Sequence, residues 1–424
     1  MIFTTTIASI IVVCSIILFL VSLLLIASSK LQPQGEVKIS INDGSDLISV
    51  KPGTSLLSAL SSKNIYLPSA CGGGGTCAVC KCQVVDGGGD ILATEKTHIS
   101  RKDAQDNWRL ACQVKVRNDL DIKVKDEVLS IKKWECTVKS NDNVATFIKE
   151  LIVELPEGEN LDFQSGGYIQ IDIPKYEVDF KNFDIHEEYH EDWDKFKIWD
   201  FKLKNDQEIF RAYSMANHPA EGNIVMLTIR IATPPWDREK NNWMDVNPGI
   251  CSSFVFSRKL GDIVTISGPY GEFFIKETEA EMIYIGGGAG MAPMRSHLFH
   301  LFHTLKTGRK VTYWYGGRSK KELFYEEDFR QIEREFPNFK FHIVLSEPEE
   351  ADNWNEKKSL DDDGDGFLGF VHNAVIDHQL KVHDAPEDIE FYFCGPPMMN
   401  QAVIKMTDDW GIPPENVAFD DFGG

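Results

Sequence analysis

Four cysteines of this 424-residue sequence stand where they could share one metal centre. Three occur in Cys71-Gly72-Gly73-Gly74-Gly75-Thr76-Cys77-Ala78-Val79-Cys80, and the fourth, Cys112, follows in Leu110-Ala111-Cys112-Gln113. This C-x5-C-x2-C…C order offers the four thiolates that a pair of ferric ions requires. The glycines fit the same chemistry: a loop wrapped around a cluster needs positive φ in places and backbone N–H groups aimed at sulfurs whose charge grows on reduction. A structural zinc site would more often show two paired C-x2-C knuckles, and only one pair is present. Cys82 falls where a strand through Val84 and Val85 turns it toward the core, and Cys136 has no partner nearby, so both read as structural. The remaining cysteines are Cys14, Cys251 and Cys394, giving an odd total of nine. A reducing compartment fits that count better than a disulfide framework.

A second constellation is Gly286-Gly287-Gly288-Ala289-Gly290-Met291-Ala292-Pro293-Met294-Arg295, directly after the apolar run Met282 to Ile285. Gly286, Gly287, Gly288 and Gly290 leave the backbone bare, which a bound phosphate needs. A strand before and a helix after supply the context of a dinucleotide site.

These residues must be positioned by several domains, since the length gives a prior of roughly three. Lys plus Arg number 44 against 65 Asp plus Glu, a net charge of −21, which argues against a nucleic-acid partner. No charged side chain precedes Lys30, and Ile7 to Ile26 is almost wholly apolar, long enough for a hydrocarbon core of about 30 Å. The expected reading is a transmembrane anchor over residues 1–29. A cleaved signal peptide fits less well, because no basic region comes first and the apolar run is long. Lys30 and Lys38 then place the large soluble part in the cytoplasm.

Alternation of Val37, Ile39 and Ile41 predicts a strand, with another near Leu47 to Val50 and a short helix capped by Thr54 or Ser55. These elements make a small α+β domain. Apolar stretches at Val144 to Leu155, Tyr168 to Ile173, Ile224 to Ile231 and Ile263 to Ile266 predict an antiparallel barrel. It is interrupted by Tyr176 to Gln207, whose acids and aromatics suggest an ordered surface insertion. Beyond it, Met282 to Ile285, Val311 to Tyr315, Phe341 to Leu345 and Glu390 to Phe393 alternate with helical segments and predict an α/β parallel sheet. The acidic run Asp361 to Gly366 has neither the spacing nor the closing Glu of a calcium loop.

The cysteine loop resembles a plant-type or adrenodoxin-type ferredoxin domain, with a first gap of five residues instead of the plant-type four. That resemblance implies a β-grasp fold holding a [2Fe-2S] cluster. Arg211-Ala212-Tyr213-Ser214, Asn247 to Ser253 and Cys394-Gly395-Pro396-Pro397-Met398 are similar to elements of the ferredoxin-NADP reductase superfamily. What this resemblance implies is that Arg211 pairs with the FAD pyrophosphate, Tyr213 lies against the isoalloxazine, and Ser214 hydrogen-bonds near flavin N5, where hydride arrives. Gly249, Ser252 and Ser253 would add a second phosphate contact. Cys394, Gly395 and Pro396 would border the nicotinamide, and Phe422 would stack on the flavin until nicotinamide displaces it. Tyr315 to Ser319 would meet the adenosine half, where Arg318 could serve a 2′-phosphate or a neighbouring acid.

The whole order is an anchor at 1–29, a ferredoxin-like domain at 36–129, an FAD-binding barrel at 133–275 with an insertion at 176–207, and an NADH-binding domain at 280–424. It resembles the sodium-translocating NADH:quinone reductase family. Membership implies NADH as donor, FAD and a [2Fe-2S] cluster as carriers, integral membrane partner subunits, ubiquinone as final acceptor and sodium export. It also implies a single-pass protein of the bacterial inner membrane with its soluble domains in the cytoplasm. No sodium path is legible in the one apolar helix, whose only ionisable side chain is Cys14. Two other readings compete: the reductase component of a bacterial oxygenase, which would lack the N-terminal helix, and a non-enzymatic electron-carrier module, against which Arg211, Ser214 and Cys394 speak.

Overall fold

The computed structural model describes residues 12–23, 35–237 and 239–421. Residues 12–23 are helical with their apolar side chains exposed. Among the described residues no helix is long and apolar enough to cross a membrane, and most of the expected anchor lies outside them. From there the chain divides into two compact units, one running to Ser130 and one beginning at Ile131.

In the first unit, β1 (Val37–Ile41) buries Val37, Ile39 and Ile41 and turns Lys38 outward, as its alternation requires. It pairs antiparallel with β2 (Asp46–Val50) and parallel with β5 (Leu120–Lys123). β3 (Lys81–Asp86) and β4 (Trp108–Leu110) complete a five-stranded sheet ordered β2-β1-β5-β3-β4. The helix Leu56–Ser61 lays Leu56, Leu57 and Leu60 into the core. Its cap is Ser55, whose Oγ accepts from the Ser58 amide at 3.2 Å. The helix and β4 flank the cysteine loop.

The second unit opens with a sheet of six antiparallel strands: β6 (Lys132–Ala145), β7 (Ile148–Glu154), β8 (Tyr168–Ile173) and, after an insertion carrying β9 (Tyr176–Asp179) and β10 (Lys202–Asn205), β11 (Ile209–Ser214), β12 (Ile224–Arg230) and, past the small hairpin of β13 (Trp236–Asp237) and β14 (Asn242–Trp243), β15 (Ile263–Tyr270). The order β11-β8-β15-β6-β7-β12 closes on itself through a Met215–Leu227 bridge, which makes it a barrel. The run Val144 to Leu155 proves to straddle a hairpin, with Thr146 and Phe147 turning between β6 and β7. Inward-facing Val138, Leu151, Val153, Ile169, Ile171, Leu227, Val264 and Ile266 fill its interior.

The acidic, aromatic insertion is ordered because it has a core of its own. Phe180, Phe183, Ile185, Tyr189, Trp193 and Ile198 pack on Phe147, Ile231 and Phe256 of the barrel. The Trp193 indole donates to the Thr146 carbonyl at 2.9 Å. Its rings are covered, and most of its acids face water, Asp192 being paired with Lys321 instead.

The last part of the chain is a parallel sheet ordered β19-β18-β17-β16-β20-β21. It comprises β16 (Met282–Gly287), β17 (Val311–Gly317), β18 (Phe339–Leu345), β19 (Phe367–Leu368), β20 (Glu390–Cys394) and β21 (Val417–Asp420). Helices including Met291–Phe299, Val371–His378 and Pro397–Asp409 cover both faces. Sequence patterning showed four of these strands; β19 and β21 are too short to carry a period. Arg295 joins sheet and barrel, donating to the Ala216 carbonyl at 2.9 Å and to both carboxylate oxygens of Glu221 at 2.7 and 2.9 Å.

Candidate functional site

In the first unit, Gly72, Gly73, Gly75 and Ala78 all take positive φ, between 58° and 89°, which coils the cysteine loop inward. A side chain at Gly75 would place its Cβ 2.6 Å from the Gln113 side-chain amide nitrogen, which would have to swing aside, so the positive φ is what calls for glycine there. The sulfurs gather as two pairs. Cys71 and Cys77 lie 3.3 Å apart. Cys80 and Cys112 are hydrogen-bonded to each other, and Ala111 donates its amide to the Cys80 carbonyl at 3.0 Å. Among the described residues no three or more His, Cys, Asp or Glu side chains converge to hold one metal ion. Two thiol pairs are the donor set of two bridged irons, and they fit a single tetrahedral zinc poorly.

Local donors favour the thiolate at one cysteine of each pair, Cys71 and Cys112, whereas burial raises Cys77 and the hydrogen bond with Cys112, followed by burial, raises Cys80. Burial works to raise Cys71, but the amides of Thr76 and Cys77 outweigh it and leave the group at about 6. The hydrogen bond from Cys80 lowers Cys112 to about 7 against burial. Cys82 is fully covered on β3, and burial pushes its thiol up to about 12. Cys136, in the barrel core, is likewise pushed to about 12 by burial.

A buried ion pair that sequence reasoning missed frames this loop. Arg109 on β4 donates to Glu95 at 2.7 and 2.9 Å and to the carbonyls of Gly88, Gly89 and Asp90. Glu95 also accepts the amides of Leu92 and Leu110. This fixes the strand that delivers Cys112. Nothing local marks Glu95 in the sequence; its partner lies fourteen residues away.

In the second unit, Arg211, Tyr213 and Ser214 lie along β11. Among the described residues no carboxylate pairs with Arg211, whose guanidinium donates to the Phe210 carbonyl at 2.8 Å. Tyr213 packs on the barrel core and hydrogen-bonds Cys251. Gly249 caps the helix Ile250–Phe256, and a Cβ there would meet Ala232 and Ser252 at 2.6 and 2.8 Å. The Ser252 hydroxyl is committed to the fold, accepting from Ala232 N at 3.1 Å and donating to Gly249 O at 3.2 Å. Ser253 Oγ is buried with no partner among the described residues, so it and Arg211 can serve an anion.

Ser214 and Cys394, far apart in sequence, are brought together by Asp420. The Ser214 hydroxyl donates to Asp420 Oδ2 at 2.6 Å, and Asp420 lies beside Cys394 in the β20–β21 register. Burial holds the Asp420 carboxyl above its ordinary range although the Ser214 hydrogen bond opposes it. Burial, then the charges of Asp420 and Asp421, keeps the Cys394 thiol protonated. Sequence reasoning missed Asp420 although it sits in Phe419-Asp420-Asp421-Phe422; Phe422 itself lies outside the described residues.

The glycine run lies between a strand and a helix. β16 ends in Gly286 and Gly287, the chain turns through Gly288 at φ 55°, and the helix Met291–Phe299 begins just after Gly290. A Cβ on Gly290 would fall 2.2 Å from the Cys394 carbonyl, so only glycine lets this turn touch the end of β20. Gly395 follows there, and Pro396 caps the helix Pro397–Asp409. Arg318, past β17, is exposed and paired with Glu347 at 3.3 Å. Glu347 is thus the neighbouring acid that its sequence position allowed for.

Comparison with known proteins accords with this arrangement. Residues 40–117 match the 2Fe-2S iron-sulfur cluster binding domain, 196–275 the oxidoreductase FAD-binding domain and 284–405 the oxidoreductase NAD-binding domain. Among solved structures, the Amycolatopsis cytochrome P450 reductase GcoB aligns over 91% of this chain and 98% of its own, with a TM-score of 0.60 at 22% identity. The ferredoxin reductase of carbazole 1,9a-dioxygenase aligns over 92% and 98%, with a TM-score of 0.57 at 22% identity. The fold and the site define a flavin- and nicotinamide-dependent oxidoreductase fused to a ferredoxin domain.

Full-length relatives narrow the class. The F subunit of the Na(+)-translocating NADH-quinone reductase of Idiomarina loihiensis is 55% identical over 96% of this chain and 97% of its own. The corresponding proteins of Neisseria meningitidis serogroup C and Pseudomonas aeruginosa are 54% and 52% identical over 96% and 97% of this chain, and over 97% of their own. The chain belongs to the family of Na(+)-translocating NADH-quinone reductase F subunits.

Proposed function

We propose that the chain oxidises NADH and feeds the electrons singly to membrane partner subunits, and through them to ubiquinone, with the redox free energy driving sodium export. When bound, FAD takes up the two electrons of a hydride and releases them one at a time, which suits a [2Fe-2S] acceptor. The observation that carries this reading is the meeting of Ser214, Asp420 and Cys394 beside the glycine turn, in a chain that also carries two thiol pairs.

Each group has a task in it. Arg211 and Ser253 hold the cofactor's phosphates, Tyr213 and Ser214 position the flavin ring, and Asp420 holds the Ser214 hydroxyl in one orientation. Gly286, Gly287, Gly288 and Gly290 admit the pyrophosphate of the nucleotide, and Cys394, Gly395 and Pro396 frame its nicotinamide. Phe422 covers the flavin face before the nucleotide arrives. Cys71 with Cys77, and Cys80 with Cys112, would hold the iron-sulfur cluster. We take residues 1–29 as a single membrane anchor of a bacterial inner membrane, leaving 36–129, 133–275 and 280–424 in the cytoplasm; the apolar surface of the helix at 12–23 supports this.

An absorption spectrum of the purified protein tests the reading. Flavin and iron-sulfur bands that both bleach with NADH are expected, and a preparation with only one chromophore would overturn it.

A further inference from the structure

The carboxyl edge of the parallel sheet holds cations that could grip a second phosphate, yet two of them are already neutralised. Arg318 follows β17 and pairs with Glu347, which follows β18. The pairing is built into the backbone, since Glu347 N donates to Arg318 O at 2.8 Å and Ser346 N to Gly317 O at 3.0 Å. Lys321, three residues on, lies between Asp192 of the insertion and Glu349, at 2.8 Å from each. Phe370, past the adjoining β19, is 64% exposed and offers an aromatic face at the same edge. An adenosine could lie on such a face, with its ribose toward Arg318 and Glu347.

In dinucleotide sites an acid at a neighbouring strand end favours the plain ribose, whereas a free guanidinium accommodates a 2′-phosphate. We propose that Glu347 is the residue that makes this site select NADH over NADPH, by occupying Arg318 and by repelling the 2′-phosphate. This rests on the nicotinamide-nucleotide reading above and adds the discriminating residue to it. Both effects are electrostatic at an exposed position, so they weaken with salt.

The test uses the full-length protein with its cofactors and the variant Glu347→Gln. An artificial acceptor reports kcat/KM for NADH and NADPH, and calorimetry reports binding of 5′-AMP and of adenosine 2′,5′-bisphosphate. The NADH-to-NADPH preference should fall about tenfold or more at low salt, with the bisphosphate bound more tightly by a similar factor. Flavin content and melting temperature serve as the check on folding, Glu347 being largely exposed. The double variant Glu347→Gln/Arg318→Ala should lose the part of the gain that the freed guanidinium supplies, which separates Arg318 from the nearby Lys320. A preference unchanged in Glu347→Gln, or a gain kept in full by the double variant, would overturn the proposal. Wild-type protein that oxidised neither nucleotide would instead overturn the functional reading beneath it.

Discussion

Ser214 on the barrel and Asp420 on the last strand of the parallel sheet share a 2.6 Å hydrogen bond across 206 residues of chain. The bond sets the hydroxyl that the flavin reading places near N5. Ser214→Ala should therefore slow hydride transfer by about 10²-fold, within the range of a lost proton-handling group, with little change in flavin content. Rapid-mixing absorbance measures it, and an unchanged rate would remove Ser214 from the chemistry.

Asp420 also gives a pH signature. Its folded pKa is raised by burial, with the Ser214 hydrogen bond opposing, so its contribution to stability is present in acid and lost as pH rises through the folded value. Asp420→Asn removes that loss. The melting temperature of the variant relative to wild type should rise from acid to neutral pH, while hydride transfer falls. A pH-independent difference would refute the assignment.

Glu95 predicts the opposite slope in the ferredoxin unit. Burial raises it, but hydrogen bonds from Arg109 and from the amides of Leu92 and Leu110 outweigh burial and leave it below the ordinary carboxylate value. Its stabilisation is complete above the unfolded pKa and lost as pH falls through the folded one. Arg109→Met leaves Glu95 buried without its partner and should cost about 3–5 kcal/mol, seen as early unfolding and iron loss. Iron retention equal to wild type at every pH would count against the clamp.

The insertion supplies a stability test. Trp193 is fully buried among Phe147, Phe183, Trp199 and Phe256. Trp193→Ala should cost about 3–5 kcal/mol, and denaturant unfolding of the second unit would show it. A cost below about 1 kcal/mol would mean the segment does not pack as a core.

The cluster loop and the glycine turn were legible because their chemistry is largely local: three of the four thiolates, and a bare strand-to-helix turn, are written in nearby residues. Val37, Ile39 and Ile41 gave their strand by alternation alone. Asp420, Glu95 and Arg295 were not legible, since each acquires its role from a partner the fold supplies: Ser214, Arg109 and Glu221. A buried carboxylate cannot be told from a surface one by composition. Strands as short as Phe367–Leu368 likewise exist only because a neighbour pairs with them.

The proposed electron path runs from NADH through FAD to a cluster held by Cys71, Cys77, Cys80 and Cys112. Its most direct test is anaerobic mixing of NADH with wild-type, Cys112→Ala and Cys82→Ala proteins, followed by absorbance and by electron paramagnetic resonance of the quenched samples. In wild type and Cys82→Ala, flavin bleaching should precede a reduced [2Fe-2S] signal. In Cys112→Ala the flavin should bleach as before with no cluster signal. A cluster signal that survives in Cys112→Ala, or one that vanishes in Cys82→Ala instead, would contradict the ligand set and the order built on it.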